Sequence, residues 1–188
     1  LRQILNPFAP PLRLAFFLRA SSNLYTTLAS RRVAFDYYDL TRPFGDLMRA
    51  LAAAPPDVLI APATVLAEIA RARSAIAPRQ ILSVAEVLDS RDRDLVEKTF
   101  GVRVGEVYQA TEGFLGCTCP AGRMHLNEET LHIEPLWVDA SRERFHPLIT
   151  DFSRSTQWFV RHRLNDVLRY DPTPCPCGRK TKTLLAIE

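Results

Sequence analysis

Asp57-Val58-Leu59-Ile60-Ala61 and Gln80-Ile81-Leu82-Ser83-Val84 are two short apolar runs, and between them Val65, Leu66, Ile69 and Ala70 recur at helical spacing. Short apolar runs bounded by breakers read as buried strands, whereas a 3.6-residue period reads as one face of a helix. A strand, a helix and a second strand form a crossover unit, which joins parallel neighbours. This stretch therefore predicts a parallel sheet with helices against it.

The same alternation extends outward. Upstream, Leu12–Leu18 and Val33–Leu40 read as strands, followed by Phe44, Leu47, Met48 and Leu51 at i, i+3, i+4 and i+7 of a helix starting at Pro43. Downstream, Ser90 is expected to cap a third helix carrying Leu95, Val96 and Phe100, with Asp92 and Asp94 where the helix dipole favours anions. Val102–Val107 is a further apolar run. Residues 1–112 thus read as an α/β half, a mainly parallel sheet with flanking helices. From Gly113 the helical period fades, and Leu131–Val138, His146–Thr150, Trp158–Leu164, Val167–Tyr170 and Thr183–Ile187 read as strands of a β-rich half, residues 113–188. No Gly/Ser linker separates the halves, so they are expected to form one structural unit.

Composition narrows the function classes. The chain has 188 residues and a formal net charge of +3, with 47% hydrophobic and 24% charged residues, an ordinary globular balance. Its length suits one domain or a piece of a larger one. No apolar run reaches the roughly 20 residues of a membrane span, because Arg13 and Arg19 bracket the best candidate. A secretory leader is lacking and the first residue is leucine, so a cytoplasmic protein is expected, cut from something longer. Only 7 residues are glycine, and Gly45 alone falls in the first 100. A phosphate-cradling loop needs clustered glycines, so none is expected within this chain.

Four groups of residues could carry chemistry. Four cysteines lie in Cys117-Thr118-Cys119 and Cys175-Pro176-Cys177-Gly178, and His125 follows Cys119 by six residues. Thiolates and imidazole bind zinc tetrahedrally, which makes a closed structural zinc site the favoured reading of five candidate ligands for four positions. Buried reduced thiols and disulfides are the alternatives. Tyr108-Gln109-Ala110-Thr111-Glu112-Gly113 ends an apolar run and offers a flat aromatic face, a hydroxyl and a carboxylate, suited to a base, a phosphate and Mg²⁺. A bland turn with a solvated Glu fits it equally. Ser83-Val84-Ala85-Glu86 ends another run, with a helix-capping acid as its plainer reading. Arg161-His162-Arg163-Leu164-Asn165-Asp166 lies in a stretch, residues 152–182, holding seven Lys and Arg against two Asp. Such charge suits an anionic partner or simply a solvated face, and Asp166 could accept from ribose hydroxyls or form an ion pair.

Together these segments resemble the adenylate-forming superfamily, in particular its phenylacetate–coenzyme A ligase-like branch, which includes synthetases that adenylylate a deazaflavin coenzyme. The resemblance is strongest over residues 81–179. Tyr108-Gln109-Ala110-Thr111-Glu112 is similar to the family's Tyr-Gly-x-Ser/Thr-Glu motif, Ser83-Val84-Ala85-Glu86 to its adenine-lining turn, and residues 161–166 to its Arg-Tyr-Arg-Thr-Gly-Asp motif. The resemblance implies that Tyr108, Gln109, Ala85 and Glu86 line the adenine of ATP or AMP. It likewise implies that Thr111 contacts the α-phosphate, Glu112 holds Mg²⁺ and Asp166 binds the ribose. Cys119, His125, Cys175 and Cys177 match the branch's zinc positions, leaving Cys117 spare.

The departures are Gln109 for a glycine and Leu164-Asn165 for Thr-Gly. The family's phosphate loop and its lysine-bearing C-terminal domain have no counterpart here, so the chain is expected to be the central part of an N-terminal adenylation domain and inactive alone. The implied activity is ATP-dependent activation of an aromatic or other organic acid as an acyl-adenylate, then transfer to coenzyme A or a carrier-protein thiol. Phe114, Leu115 and residues near Asn23–Tyr25 are candidate walls for the acid. A homodimer is admitted; membrane and nucleic acid are not expected partners. The competing reading is a zinc-containing nucleic-acid or protein-interaction module, resting on the Cys pairs and the basic stretch.

Overall fold

The computed structural model of this chain describes residues 10–19, 30–155 and 157–188. It is a mixed α/β structure of two compact units, Leu1–Gly105 and Glu106–Glu188, which divide seven residues before the expected boundary and inside a strand.

The first unit is the parallel half. Strands β1 (Leu12–Leu18), β2 (Val33–Asp39), β3 (Val58–Ala61) and β4 (Gln80–Ser83) alternate with helices α1 (Phe44–Ala53), α2 (Ala63–Arg71) and α3 (Ser90–Phe100). The strands pair in the order β2-β1-β3-β4, all parallel, with Leu14 opposite both Phe35 and Val58. Helical spacing delivers its apolar faces: Leu47 and Leu51 from α1, Leu66 and Ile69 from α2, and Val96 from α3 are buried with Phe17, Leu59 and Ile81. Phe17 and Tyr38 stack at 4.4 Å between centroids. Pro43 precedes α1 in an extended conformation, outside the helix it was expected to open. The cap of α3 is Asp89, one residue before the expected Ser90, because its carboxylate accepts from the Arg91 N–H at 2.8 Å. Gly101 ends that helix at φ +68°, where a side chain would be strained.

Strand β5 (Val104–Ala110) carries the chain into the antiparallel second unit. There follow β6 (Gly113–Thr118), β7 (Met124–Leu126), β8 (Leu131–Trp137), β9 (Arg144–Asp151), β10 (His162–Arg163), β11 (Leu168–Asp171) and β12 (Thr183–Ile187). Their order is β5-β6-β7-β12-β11-β9, with β8 on the other edge of β9 and β10 beside its far end. Phe145, Leu115, Ile149 and Leu168 are fully buried, and Tyr108 lies in the same core. Only His162 and Arg163 of the expected strand Trp158–Leu164 form regular strand; Trp158 and Val160 are exposed, although Phe159 O accepts from the Asp151 N–H at the end of β9 at 3.0 Å. Conversely β6 and β7 went unforeseen, since glycines and a three-residue length blur their alternation. Among the described residues, no helix is long and apolar enough to cross a membrane.

Candidate active site and metal centre

Strands β5 and β6 form a tight hairpin. Ala110 pairs with Gly113, so Thr111 and Glu112 are its two loop residues. The segment at 108–113, read from the sequence as a strand end, is therefore a hairpin tip. A bulge falls between Tyr108 and Gln109, a feature that re-aims side chains beside functional sites. Tyr108 points into the core and is 8% exposed, while Gln109 and Thr111 face solvent. The flat, open aromatic face expected at Tyr108 is thus largely covered, because the strand's alternation turns that residue inward.

What Tyr108 does present is its hydroxyl, which donates to Asp166 Oδ2 at 2.5 Å across 58 residues of sequence. Asp166 sits between β10 and β11, which follow one another along the same edge of β9. Its segment is fastened at further points. The Leu164 N–H donates to Pro147 O at 3.0 Å, His146 Nδ1 lies 3.0 Å from Asp166 O, and His162 Nε2 lies 3.3 Å from Glu112 Oε1. Burial, then the Asp166 hydrogen bond and charge, then the charge of Glu112 push the Tyr108 phenol far above its ordinary value, so it remains a donor at neutral pH. His146 and His162, readable in sequence only as surface or partly packed, both serve this corner. Arg154 braces it as well: Nε is 3.1 Å from Asp151 Oδ2, Nη2 donates to Thr111 O at 3.4 Å, and the guanidinium lies 5.1 Å from the Phe159 ring centre.

The structure thus brings Tyr108, Thr111, Glu112 and Asp166 to one corner of the second unit. Ala85 and Glu86 belong to the first unit. Ala85 has φ +64°, a conformation glycine adopts without penalty. The Glu86 carboxylate accepts from the Thr64 N–H at 2.9 Å and from Thr64 Oγ1, so it caps the start of α2, the plainer of the two roles foreseen for it. Of the candidate substrate walls, Phe114 is exposed, Leu115 is fully buried in the core and cannot line an open pocket, and Asn23–Tyr25 lie outside the described residues.

At the far ends of β6 and β7 the ligand atoms of Cys119, His125, Cys175 and Cys177 lie within 4.8 Å of one another. Cys119 and Cys175 sulfurs are 3.6 Å apart, and Cys177 Sγ is 3.4 Å from His125 Nε2. Tetrahedral zinc with Zn–S of about 2.3 Å and Zn–N of about 2.0 Å spaces sulfurs roughly 3.8 Å apart and sulfur from nitrogen roughly 3.5 Å. The cluster fits that ion, and all four cysteines are unbridged. Thr181 Oγ1 lies 2.9 Å from His125 Nδ1, which fixes the ring with Nε2 toward the sulfurs. Burial holds the His125 imidazole below its ordinary value, in the neutral form a metal requires. Burial alone would raise the Cys119 thiol, but the N–H groups of Arg123 and Ala121 and the thiols of Cys175 and Cys177 together hold it low. Cys117, on the neighbouring pleat opposite His125, is not in the cluster.

No protein-family model matches this chain, and no curated protein does. Solved structures do match. A 2-hydroxyisobutyryl-CoA ligase in complex with 2-HIB-AMP and CoA aligns over 94% of this chain and 44% of its own, with TM-score 0.73 and 16% identity. A benzoate CoA ligase from Burkholderia xenovorans LB400 aligns over 92% and 40%, with TM-score 0.64 and 15% identity. An NRPS protein containing adenylation and PCP domains aligns over 95% and 44%, with TM-score 0.60 and 13% identity. The chain therefore spans less than half the length of these proteins. At such identities the likeness is one of fold: this chain has the fold of a segment of acyl-CoA ligases and of a protein with an adenylation domain.

Proposed function

We propose that the protein to which these residues belong is an AMP-forming ligase that activates an organic acid as its adenylate and passes it to a thiol. The observation that supports this reading is that the Tyr108–Asp166 hydrogen bond and the His162–Glu112 contact tie the segment bearing Asp166 to the hairpin bearing Thr111 and Glu112, in a fold like that of CoA ligases. Each side chain suits one part of ATP. Asp166 would accept from the ribose hydroxyls. Thr111, at the hairpin tip, would donate to the α-phosphate as the acid's carboxylate displaces pyrophosphate. Glu112 would hold Mg²⁺, which supplies charge stabilisation on the phosphate oxygens when bound. Ala85, Glu86, Tyr108 and Gln109 are assigned to the adenine side. No protein nucleophile is needed, since catalysis rests on positioning and preorganised charge.

The Cys119-His125-Cys175-Cys177 cluster, read as structural zinc, favours the phenylacetate–CoA ligase-like branch. The acceptor would be coenzyme A or a carrier-protein arm, the acid aromatic or otherwise organic, the setting cytoplasmic and the enzyme a monomer or homodimer. Residues 1–188 would then be the central part of an N-terminal adenylation domain. Against the nucleic-acid module, three of the seven cations in residues 152–182 are already paired: Arg154 with Asp151, Arg161 with Glu134, and Lys182 with Glu128.

The test is calorimetric titration of the intact protein with ATP and Mg²⁺. Glu112→Ala should weaken Mg²⁺-dependent binding by at least tenfold, the scale of one charge-assisted contact, about 1.5–3 kcal/mol. Binding of single-stranded nucleic acid alone, with a steep salt slope, would favour the competing module. The isolated 188 residues should release no pyrophosphate, because removing single preorganised donors already costs about 10²–10³ in rate.

A further inference from the structure

Tyr108 and Asp166 are both assigned above to the nucleotide, yet their closest partners are each other. A buried phenol that only packed against a base would leave its hydroxyl seeking any acceptor. Here the hydroxyl meets the one carboxylate expected to read the sugar, and it meets it at 2.5 Å. Both ends of the contact are fixed. The Tyr108 ring is locked in the core with Leu115 and Leu126, and Gly116 stands opposite it in the hairpin. The Asp166 backbone is anchored by His146 and by the Leu164–Pro147 hydrogen bond on either side of Asn165.

We propose that Tyr108 is a positioning residue for Asp166, holding one carboxylate oxygen so that the other is presented in a single orientation to a vicinal diol of the nucleotide sugar. The inference rests on the nucleotide-binding reading and alters the role of Tyr108 within it, from an aromatic surface to a hydroxyl acting through its neighbour. A free carboxylate rotates about its terminal torsion, which has broad wells. One whose Oδ2 is held by a rigid donor has already lost that freedom, so the ribose does not have to bear its cost. The phenol's strong upward shift agrees with a permanent donor.

The experiment compares AMP with 2′,3′-dideoxy-AMP on the intact protein by calorimetry, in the wild type and in Tyr108→Phe, with thermal melts as a control on folding. Phenylalanine keeps the ring and removes only the hydroxyl. The expected result is that Tyr108→Phe weakens AMP about tenfold, the scale of a hydrogen bond to a charged group, while dideoxy-AMP binding is unchanged. Equal weakening of both nucleotides, or of neither, overturns the positioning role. Wild-type protein that binds both equally also overturns it, while leaving nucleotide binding intact. If the wild type binds neither, the functional reading itself fails and takes the inference with it. Should Tyr108→Phe not fold, proton NMR of the wild type decides. A downfield, slowly exchanging Tyr108 hydroxyl proton retained on AMP addition supports the role, and its loss contradicts it.

Discussion

Cys117 and Cys119 differ by two positions in sequence and lie on the same strand-and-turn, yet only the second joins Cys175, Cys177 and His125 in the cluster. The consequence can be measured. Cys177→Ser should reduce zinc from about one per chain to near none in elemental analysis, whereas Cys117→Ser should leave it in place. Zinc lost with Cys117 and retained without Cys119 would move the ligand set. The motif Cys175-Pro176-Cys177-Gly178 was legible as a metal turn because its spacing is local. The choice between Cys117 and Cys119, which share a face of the strand, depends on how far along it Cys175 and Cys177 arrive, which spacing does not state. Ala85 makes a second residue-scale point. Its left-handed backbone carries a penalty of roughly 1–2 kcal/mol for a side-chain-bearing residue. Ala85→Gly should therefore raise the urea midpoint by an amount equivalent to about 1 kcal/mol; no change would mean that the turn relaxes.

The β5–β6–β7 meander is the element on which both the metal cluster and the hairpin tip are built. Gly116 is its tightest point, since a Cβ there would lie 2.5 Å from the His125 carbonyl oxygen and 3.4 Å from the Met124 sulfur. Backbone cannot yield as a flexible side chain does. Gly116→Ala should therefore destabilise by about 1–3 kcal/mol, the usual cost of overpacking, and should also lower zinc content by displacing His125. Retained stability with full zinc would show that the strands part without loss. Among the described residues, periodicity found the three helices and most strands correctly, because a face that must be buried leaves its period in the chain. It overextended the strand near Trp158, where Trp158 and Val160 are exposed and Arg161 at φ +49° breaks the extended backbone, since an apolar run does not reveal a local kink. It missed β6 and β7 because a three-residue strand and a glycine-rich one carry almost no alternation.

At the scale of the whole molecule, two buried carboxylates in the second unit contribute to the acid response. The hydroxyl and N–H of Ser153, then the Arg154 charge, hold Asp151 below the usual carboxylate range. The Thr173 N–H and Arg123 do the same for Asp171. A lowered folded pKa gives stability that is fully present above the unfolded value, about 3.9, and is lost as pH falls through the folded values. The share of the urea midpoint owed to these carboxylates should therefore hold steady down to about pH 5 and drop below about pH 4, added to a loss that starts near the unfolded imidazole value of about 6.5 because the fold keeps His125 neutral. Asp151→Asn should lower the neutral midpoint and flatten that drop, separating the carboxylate from protons taken up as zinc leaves; an unchanged profile would contradict the assignment.

The sequence by itself determined the α/β half, the β-rich half, the Cys175–Cys177 turn and the segments in which chemistry could reside, because each is written in residues a few positions apart. Only the tertiary structure decided that Glu86 caps a helix, that Leu115 is core, that His162 faces Glu112 and that Tyr108 reaches Asp166. Those pairings join residues 22 to 58 positions apart or depend on which face of a strand is covered. They follow from how the sheets close and bury their faces, and local spacing holds no record of that.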